Sequence, residues 1–302
     1  MENCSPIVVL ADRSSFKARF KCAVRSLRHS PIGILGLILV TLVLLSALLG
    51  PSIAPHDPTQ HNLRARFKPP GFTDDNNTYL LGTDQLGRDI LSRLIMGSRI
   101  SVVVGLTAVV IAGAVGVTYG LIAGFVGGWL ETILMRIADA FLGIPFIILV
   151  VAVSGVVGPG LTTLILILGL TNWVTYARVV RGEVLVIREL DYVTAAQVIG
   201  QSQLKIMVKH VLPNVASSVI ILAALQVGTT ILAESSLSFL GLGVQPPTIT
   251  WGLMLADGRQ YLGSAWWMAT LPGVAITITV LGVVFLGDWL RDFLDPRLQG
   301  QN

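Results

Sequence analysis

Between Ile32 and Gly50 the chain runs 19 residues without a charged side chain. A helix of that length covers about 30 Å, the thickness of a bilayer's hydrocarbon core. Backbone N–H and C=O groups find no water there, so an isolated run of this kind must be helical. Comparable apolar stretches follow near Ile100–Gly124, Thr132–Val157, Leu161–Tyr176, Val215–Ser236 and Trp266–Gly287. The pattern predicts an all-α integral membrane protein with six transmembrane helices. Composition agrees: 53% of the 302 residues are hydrophobic and 13% charged, against roughly 25% charged in a soluble domain. The apolar core of a signal peptide is only about 7–15 residues, so the first run reads as a retained span. It gives a tail at 1–30, a first helix at 31–50, a long connection at 51–99, a five-helix core at 100–290 and a tail at 291–302.

The spans carry few features beyond their apolarity. Ala108, Ala112, Gly116, Gly120 and Gly124 recur every four residues in the second. Such a stripe lets another helix backbone approach closely and argues for packing rather than a substrate site. Pro145 should kink the third span. Asp139 and Glu234 are the carboxylates nearest the membrane interior. Buried carboxylates there are candidates for function, with ion pairing or helix capping as the alternative. Trp266 and Trp267 open the sixth span as interface anchors.

The polar segments are less constrained. The tail to Ser30 is basic, and Phe16, Phe20 and Val24 at i, i+4, i+8 suit a helix lying on a membrane surface, or else an unstructured tail. Pro55, Pro58, Pro69 and Pro70 make most of 51–99 extended loop. Its end differs: Leu86, Ile90, Leu91 and Leu94 share a helical face, and Asp89 and Arg93 lie four apart, suggesting an interfacial helix. His56 and His61 have no third ligand in sight, so no metal site is assigned. Cys4 and Cys22 read as free thiols. No GxxxxGK[ST] phosphate loop is present, so if ATP drives this protein another chain binds it.

One polar stretch stands apart. Asp191–Pro213, within the basic loop 178–214, reads as two short helices joined by a glycine. Asp191 is placed to cap the first helix, Gly200 to end it in the left-handed conformation, Ser202 to cap the second, and Pro213 to forbid ordinary continuation of the ladder. The physics alone allows a docking element or a solvated loop.

Thr194, Ala195, Ala196, Gly200, His210, Leu212 and Pro213 resemble the cytoplasmic loop of bacterial ABC-importer permeases. That motif is Glu-Ala-Ala, three residues, Gly, nine residues, Ile, one residue, Leu-Pro. The spacing matches throughout, with Thr194 at the family's Glu and His210 at its Ile. LGTDQLGRDILSRL at 81–94, ESSLSFLGLG at 234–243 and GDWLRDFLDPRL at 287–298 resemble the dipeptide/oligopeptide/nickel branch, in particular its C-type permease subunit. The resemblance implies the type I ABC importer fold, with 191–213 as the coupling loop. It also implies a second homologous permease subunit, two ATPase subunits or domains that bind ATP and Mg, and an extracytoplasmic solute-binding protein meeting 51–99 and 244–264. The chain would hold no cofactor and no catalytic residue of its own, and no nucleic acid is implied as a partner. Charge counting supports the same topology. With both termini on the cytoplasmic side of the bacterial inner membrane, the tail, Arg136, the 178–214 loop, Arg291 and Arg297 put 14 of the 21 Lys and Arg in the cytoplasm.

Nickel or an opine-like conjugate is the rival cargo. A self-sufficient secondary transporter or channel would show internal repeats and broken helices with embedded charge, and no clear repeat is seen. An intramembrane enzyme would need paired catalytic residues within spans. No His lies in a span, and the carboxylates sit near span ends.

Overall fold

The structure, a computed structural model, describes residues 23–74 and 77–294. Cys4, Cys22, Phe16, Phe20 and the residues after 294 lie outside them. Five helices are long and apolar enough to cross a membrane, and a bent pair brings the number to six. The first is α1, Pro31–Ile53, whose N-cap Ser30 accepts a hydrogen bond from Gly33 N.

The interfacial helix and second span expected from sequence are one element, α2, Ile90–Val126. Asp89 is its N-cap: the carboxylate accepts from Ser92 N (2.9 Å) and Ser92 Oγ (2.6 Å). It therefore does not pair with Arg93. No residue breaks the ladder until Gly127, at φ 71°. At 37 residues the helix is about 55 Å long, more than a hydrocarbon core needs.

The third span is not a kinked rod but two helices, α3, Gly128–Leu142, and α4, Phe146–Val157, bent by 85°. Pro145 has no N–H and disfavours helical geometry at Ile144, so the chain turns at Gly143–Pro145. Then come α5, Leu161–Ile187; α6, Asp191–Val198; α7, Gln203–Ile206, with a π turn Met207–Val211; α8, Leu212–Phe239; α9, Trp251–Gly258; and α10, Trp267–Leu294.

The α2–α5 pair is the axis of the bundle. A Cβ at Gly116 would stand 2.3 Å from Trp173 O, one at Gly120 2.6 Å from Ala177 O, and one at Gly124 2.8 Å from Val184 Cβ. Ala108 and Ala112 are fully buried on the same stripe. The α8 helix packs on α2, α5 and α10, and α1 on α10 and α2. A second close seam joins α1 to α10: Cβ atoms at Gly33 and Gly36 would meet Trp289 Cγ (2.8 Å) and Leu286 N (2.6 Å), and one at Gly282 Leu39 Cβ (2.8 Å).

The segment before α2 is a folded module rather than extended loop. It holds a 3-10 turn, Leu63–Ala65, and an antiparallel hairpin, Phe72–Asp74 with Asn77–Tyr79. Gly87, at φ 73°, approaches Asn62 so closely that a Cβ would fall 1.8 Å from its carbonyl oxygen, a position only glycine occupies. Trp267 Nε1 donates to Thr83 O (3.1 Å) and ties the module to α10. At a surface turn, the Thr59 hydroxyl and N–H hold the Asp57 carboxyl below its ordinary range.

Candidate functional site

The helix pair at 191–213 projects from the end of the bundle formed by the end of α2, the end of α5 and the start of α8. Leu190, extended, is the N-cap of α6, and its carbonyl accepts from Val193 N (2.9 Å) and Thr194 N (3.1 Å). Asp191 is thus the first helical residue and not the cap. Its carboxylate makes no capping bond, but its charge favours the helix N-terminus. Thr194 is exposed, and its hydroxyl turns back towards Leu190 O (3.4 Å).

The end of α6 is a Schellman motif. Gln201 N bonds Ala196 O (3.1 Å) and Gly200 N bonds Gln197 O (2.9 Å), with Gly200 at φ 84°. Ser202 occupies the N-cap of α7 in extended geometry without a side-chain bond. Pro213 does not stop the helix. The π turn at Met207–Val211 widens the ladder just before it, and Leu212 N reaches Met207 O. Pro213 then sits in the first turn of α8, where its missing N–H is tolerated. The chain from Gln203 to Phe239 is consequently one continuous rod, and any motion of the loop is delivered directly to a span.

One face of the pair is anchored. Val193, Ala196, Ile206, Val211 and Val215 are buried against Phe125, Val180 and Val184. Each buried valine contributes about 1.5–3 kcal/mol by the hydrophobic transfer scale. Of the two adjacent alanines, Ala196 faces this core and Ala195 faces outward. The Arg188 Nη1 group donates to Gly124 O (2.9 Å), fastening the loop to the end of α2. His210 Nε2 and Gln201 Oε1 lie 3.1 Å apart across the hinge, and the Tyr192 ring lies 6.3 Å from that of His210.

The other face is bare. Val198, Ile199 and Leu204 are 83%, 79% and 68% exposed, at the tip of an otherwise polar loop. Sequence reading did not single them out. An apolar residue on each side of the Gly200–Ser202 hinge was the available signal. Clustered apolar residues on a protruding, anchored element mark an interaction surface.

Comparison with known proteins identifies the framework. Residues 116–300 match the family described as binding-protein-dependent transport system inner membrane component, and residues 19–70 match the N-terminal TM domain of oligopeptide transport permease C. The chain belongs to the binding-protein-dependent transport permeases. Relatives of this permease include the di/tripeptide transport system permease protein DppC of Pseudomonas aeruginosa, 40% identical over 91% of each chain. Another is the probable D,D-dipeptide transport system permease protein DdpC of Escherichia coli, 38% identical over 96% of this chain and 97% of that one. A third is the oligopeptide transport system permease protein OppC of Bacillus subtilis, 38% identical over 93% and 90%. The fold is that of a chain in the MetNI methionine ABC transporter in inward-facing conformations. That likeness has a TM-score of 0.54 at 20% identity and covers 67% of this chain and 96% of that one. This permease is a multi-pass inner-membrane protein of a family whose members are not themselves enzymes.

Within the permease the remaining sequence candidates separate. Asp139, on α3, accepts from Arg178 Nη2 on α5 (2.6 Å), both half-exposed. Two turns earlier on α3, Glu131 takes Arg181 Nε (2.7 Å). These pairs clamp α3 to α5. Glu234 is fully buried in α8 with hydroxyls around it: Ser238 Oγ at 2.8 Å, Ser235 Oγ at 3.3 Å and, from α2, Ser101 Oγ at 3.4 Å. The Thr250 side chain approaches the same carboxylate. Together they join α8, α2 and the start of α9 with no cation among the described residues. His56 stacks on Tyr79 and lies 3.5 Å from Asp89, while His61 lines a separate hollow beside Arg88. No group of three or more His, Cys, Asp or Glu converges among the described residues.

Proposed function

We propose that this chain is one permease subunit of an ATP-driven importer of di- or oligopeptides, coupled to an ATPase through the 191–213 loop. The carrying observation is the loop itself: an anchored helix–glycine–helix with an apolar tip, continuous with the span α8. Family membership and the names of the relatives, which specify dipeptides, D,D-dipeptides and oligopeptides, support the cargo class.

In this reading both termini and the loop are cytoplasmic, in keeping with the bias of Lys and Arg towards that side. A second homologous permease completes the membrane unit. Two ATPase subunits or domains bind ATP and Mg and hydrolyse the nucleotide, one of them receiving Val198, Ile199 and Leu204. An extracytoplasmic solute-binding protein delivers peptide to the opposite end, over the 54–89 module and the 244–264 segment. ATP binding closes the ATPases and pulls α6 and α7. The rod from Gln203 to Phe239 transmits that pull, and the π turn beside Pro213 is its compliant point. The buried Glu234 cage would then hold α8 and α2 together as they tilt.

The test is uptake of a labelled dipeptide into proteoliposomes carrying the complete complex. Accumulation that requires ATP and the binding protein is expected. Uptake by this chain alone, driven by an ion gradient, would contradict the proposal.

A further inference from the structure

One side of α8 carries a polar stripe within the part of the helix that crosses the membrane. Gln226, Thr229, Ala233 and Ser236 recur at steps of three and four and therefore share that side. Thr229 and Ser236 are exposed, and Gln226 and Ala233 are half-buried. The other sides of α8 are used for packing. Gly228 is turned to Val280 and Val283 of α10, and Ile231 to Gly105 of α2. Leu237 is buried in one cluster with Leu164 and Leu168 of α5. At the end nearer α9 the stripe opens into a hollow of about 520 Å³ between α8, α9 and α10, where Ser236 and Thr277 face Phe239, Leu255 and Ile276. No residue lining that hollow is charged.

The hydroxyls alone would be tolerated against lipid. Thr229 Oγ1 donates to Gln226 O (3.0 Å), Ser236 Oγ to Leu232 O (2.8 Å) and Thr277 Oγ1 to Gly273 O (2.9 Å), so each proton is spent within its own helix. Gln226 is different. It stands near the middle of α8, and its side-chain amide makes no hydrogen bond among the described residues. An amide with both donors and an acceptor, on the open side of a span, is strongly disfavoured in hydrocarbon. Polar side chains at that depth face a water-filled path or another polar group.

The chemistry restricts what passes there. The stripe has no carboxylate, imidazole or thiolate, so it is not built to hold a metal ion. Its hydroxyl oxygens keep acceptor lone pairs, and the Gln226 amide both donates and accepts. These groups complement peptide N–H and C=O, which every peptide carries whatever its side chains. From Gln226 to Ser236 the helix rises about 15 Å, the length of roughly four or five extended residues. We propose that this stripe lines the path of the translocating peptide and reads its main chain. Gln226 bonds a backbone amide, and Thr229, Ser236 and Thr277 accept N–H groups, while Phe239, Leu255 and Ile276 receive apolar side chains in the hollow. The charged termini stay hydrated, which keeps the contact weak enough for release. The inference rests on the peptide-importer reading and adds which residues of this subunit meet the cargo and what part of it they read.

The experiment uses the complete complex, with Cys4→Ser and Cys22→Ser as background. Thr229→Cys and Ser236→Cys are each exposed in lipid nanodiscs to a charged thiol reagent, and labelling is read on this chain. Leu42→Cys, at an exposed apolar position of α1, is the lipid-facing control. Labelling at the stripe and not at Leu42→Cys is expected, slowed by trialanine. In proteoliposomes, Gln226→Leu should keep the second permease bound. It should lower uptake of subsaturating trialanine and trileucine by the same factor, about fivefold for one lost hydrogen bond, because the two peptides share only their main chain. Stripe cysteines no more reactive than Leu42→Cys, labelling that trialanine does not slow, unchanged uptake in Gln226→Leu, or a factor that differs between the peptides would overturn the inference. Loss of the second permease from Gln226→Leu would overturn it too, by placing Gln226 in a subunit contact. ATP-driven uptake by the unaltered complex separates the two levels. Uptake with an unreactive stripe defeats this inference and leaves the importer standing, whereas no uptake of any peptide defeats both.

Discussion

The two ends of the bundle satisfy their polar and apolar groups in opposite ways. At the end built from the 54–89 module, Asp84 accepts from Leu86 N (2.8 Å), Arg88 N (2.9 Å), Arg88 Nε (2.6 Å) and the buried Arg93. Asp257 on α9 approaches both arginines at 3.8 and 3.5 Å, and Trp251 Nε1 donates to Leu94 O (2.9 Å). That end pairs its charges within the chain, although Leu63 and Leu80 stay exposed there and Gln85 Oε1 has no partner among the described residues. At the other end the helix pair buries one face and leaves Val198, Ile199 and Leu204 in the open. The difference teaches where the chain ties up its own charges and where it presents an apolar tip on an anchored loop, the feature on which the proposed ATPase contact rests.

The comparison breaks most severely if the frame joining the two ends fails. Gly116→Leu puts side-chain atoms where Trp173 O already lies 2.3 Å from the Cβ position. Folded chain recovered from membranes should fall to almost none, while Gly155→Leu, with open space at its Cβ, should be recovered normally. Next comes Asp84→Asn, which strips the partner from a buried guanidinium. A loss of about 3–5 kcal/mol is expected, read as a lowered Tm in detergent, with the loop end unchanged in protease sensitivity. Gly200→Leu forces a φ near +84° on a branched residue at about 1–2 kcal/mol. Its Cβ meets nothing, so the chain should insert and assemble while substrate-stimulated ATPase activity and uptake collapse. Normal activity would separate the hinge from coupling. The smallest effect belongs to His210→Ala. It removes one hydrogen bond across the hinge, about 0.5–1.5 kcal/mol, and should show as faster amide exchange confined to 199–211.

Much of the frame was legible because lipid imposes a simple rule. Long uncharged runs must be helices, and α1, α5, α8 and α10 follow from it. The stripe from Ala108 to Gly124 announced a close helix contact through its period alone. Less legible was whatever depended on one residue's choice between neighbours. Asp89 was paired on paper with Arg93 by spacing, but an N-cap and a serine claimed it, leaving Arg93 to Asp84. Most of the 51–99 connection looked like loop because its order comes from long-range bonds such as Asn62 N to Leu86 O (3.1 Å), which no local period encodes. The Gly33–Gly36–Gly282 seam was missed since its glycines lie on two helices far apart in sequence. In the 191–213 loop, Gly200 was readable from turn chemistry. The π turn was not, because Pro213 signals a broken ladder without saying how the break is absorbed.

The most direct test of the open end is a photo-cross-linking amino acid at Ile199, introduced into the tagged chain in native membranes, followed by mass identification of the captured protein. The expected result is an ATPase subunit, co-purifying with a second permease, and captured far less when the probe stands at buried Val193 instead. Capture of no ATPase, with the chain running alone or as a homo-oligomer, would contradict the coupling role of the loop and reopen the channel or secondary-transporter reading.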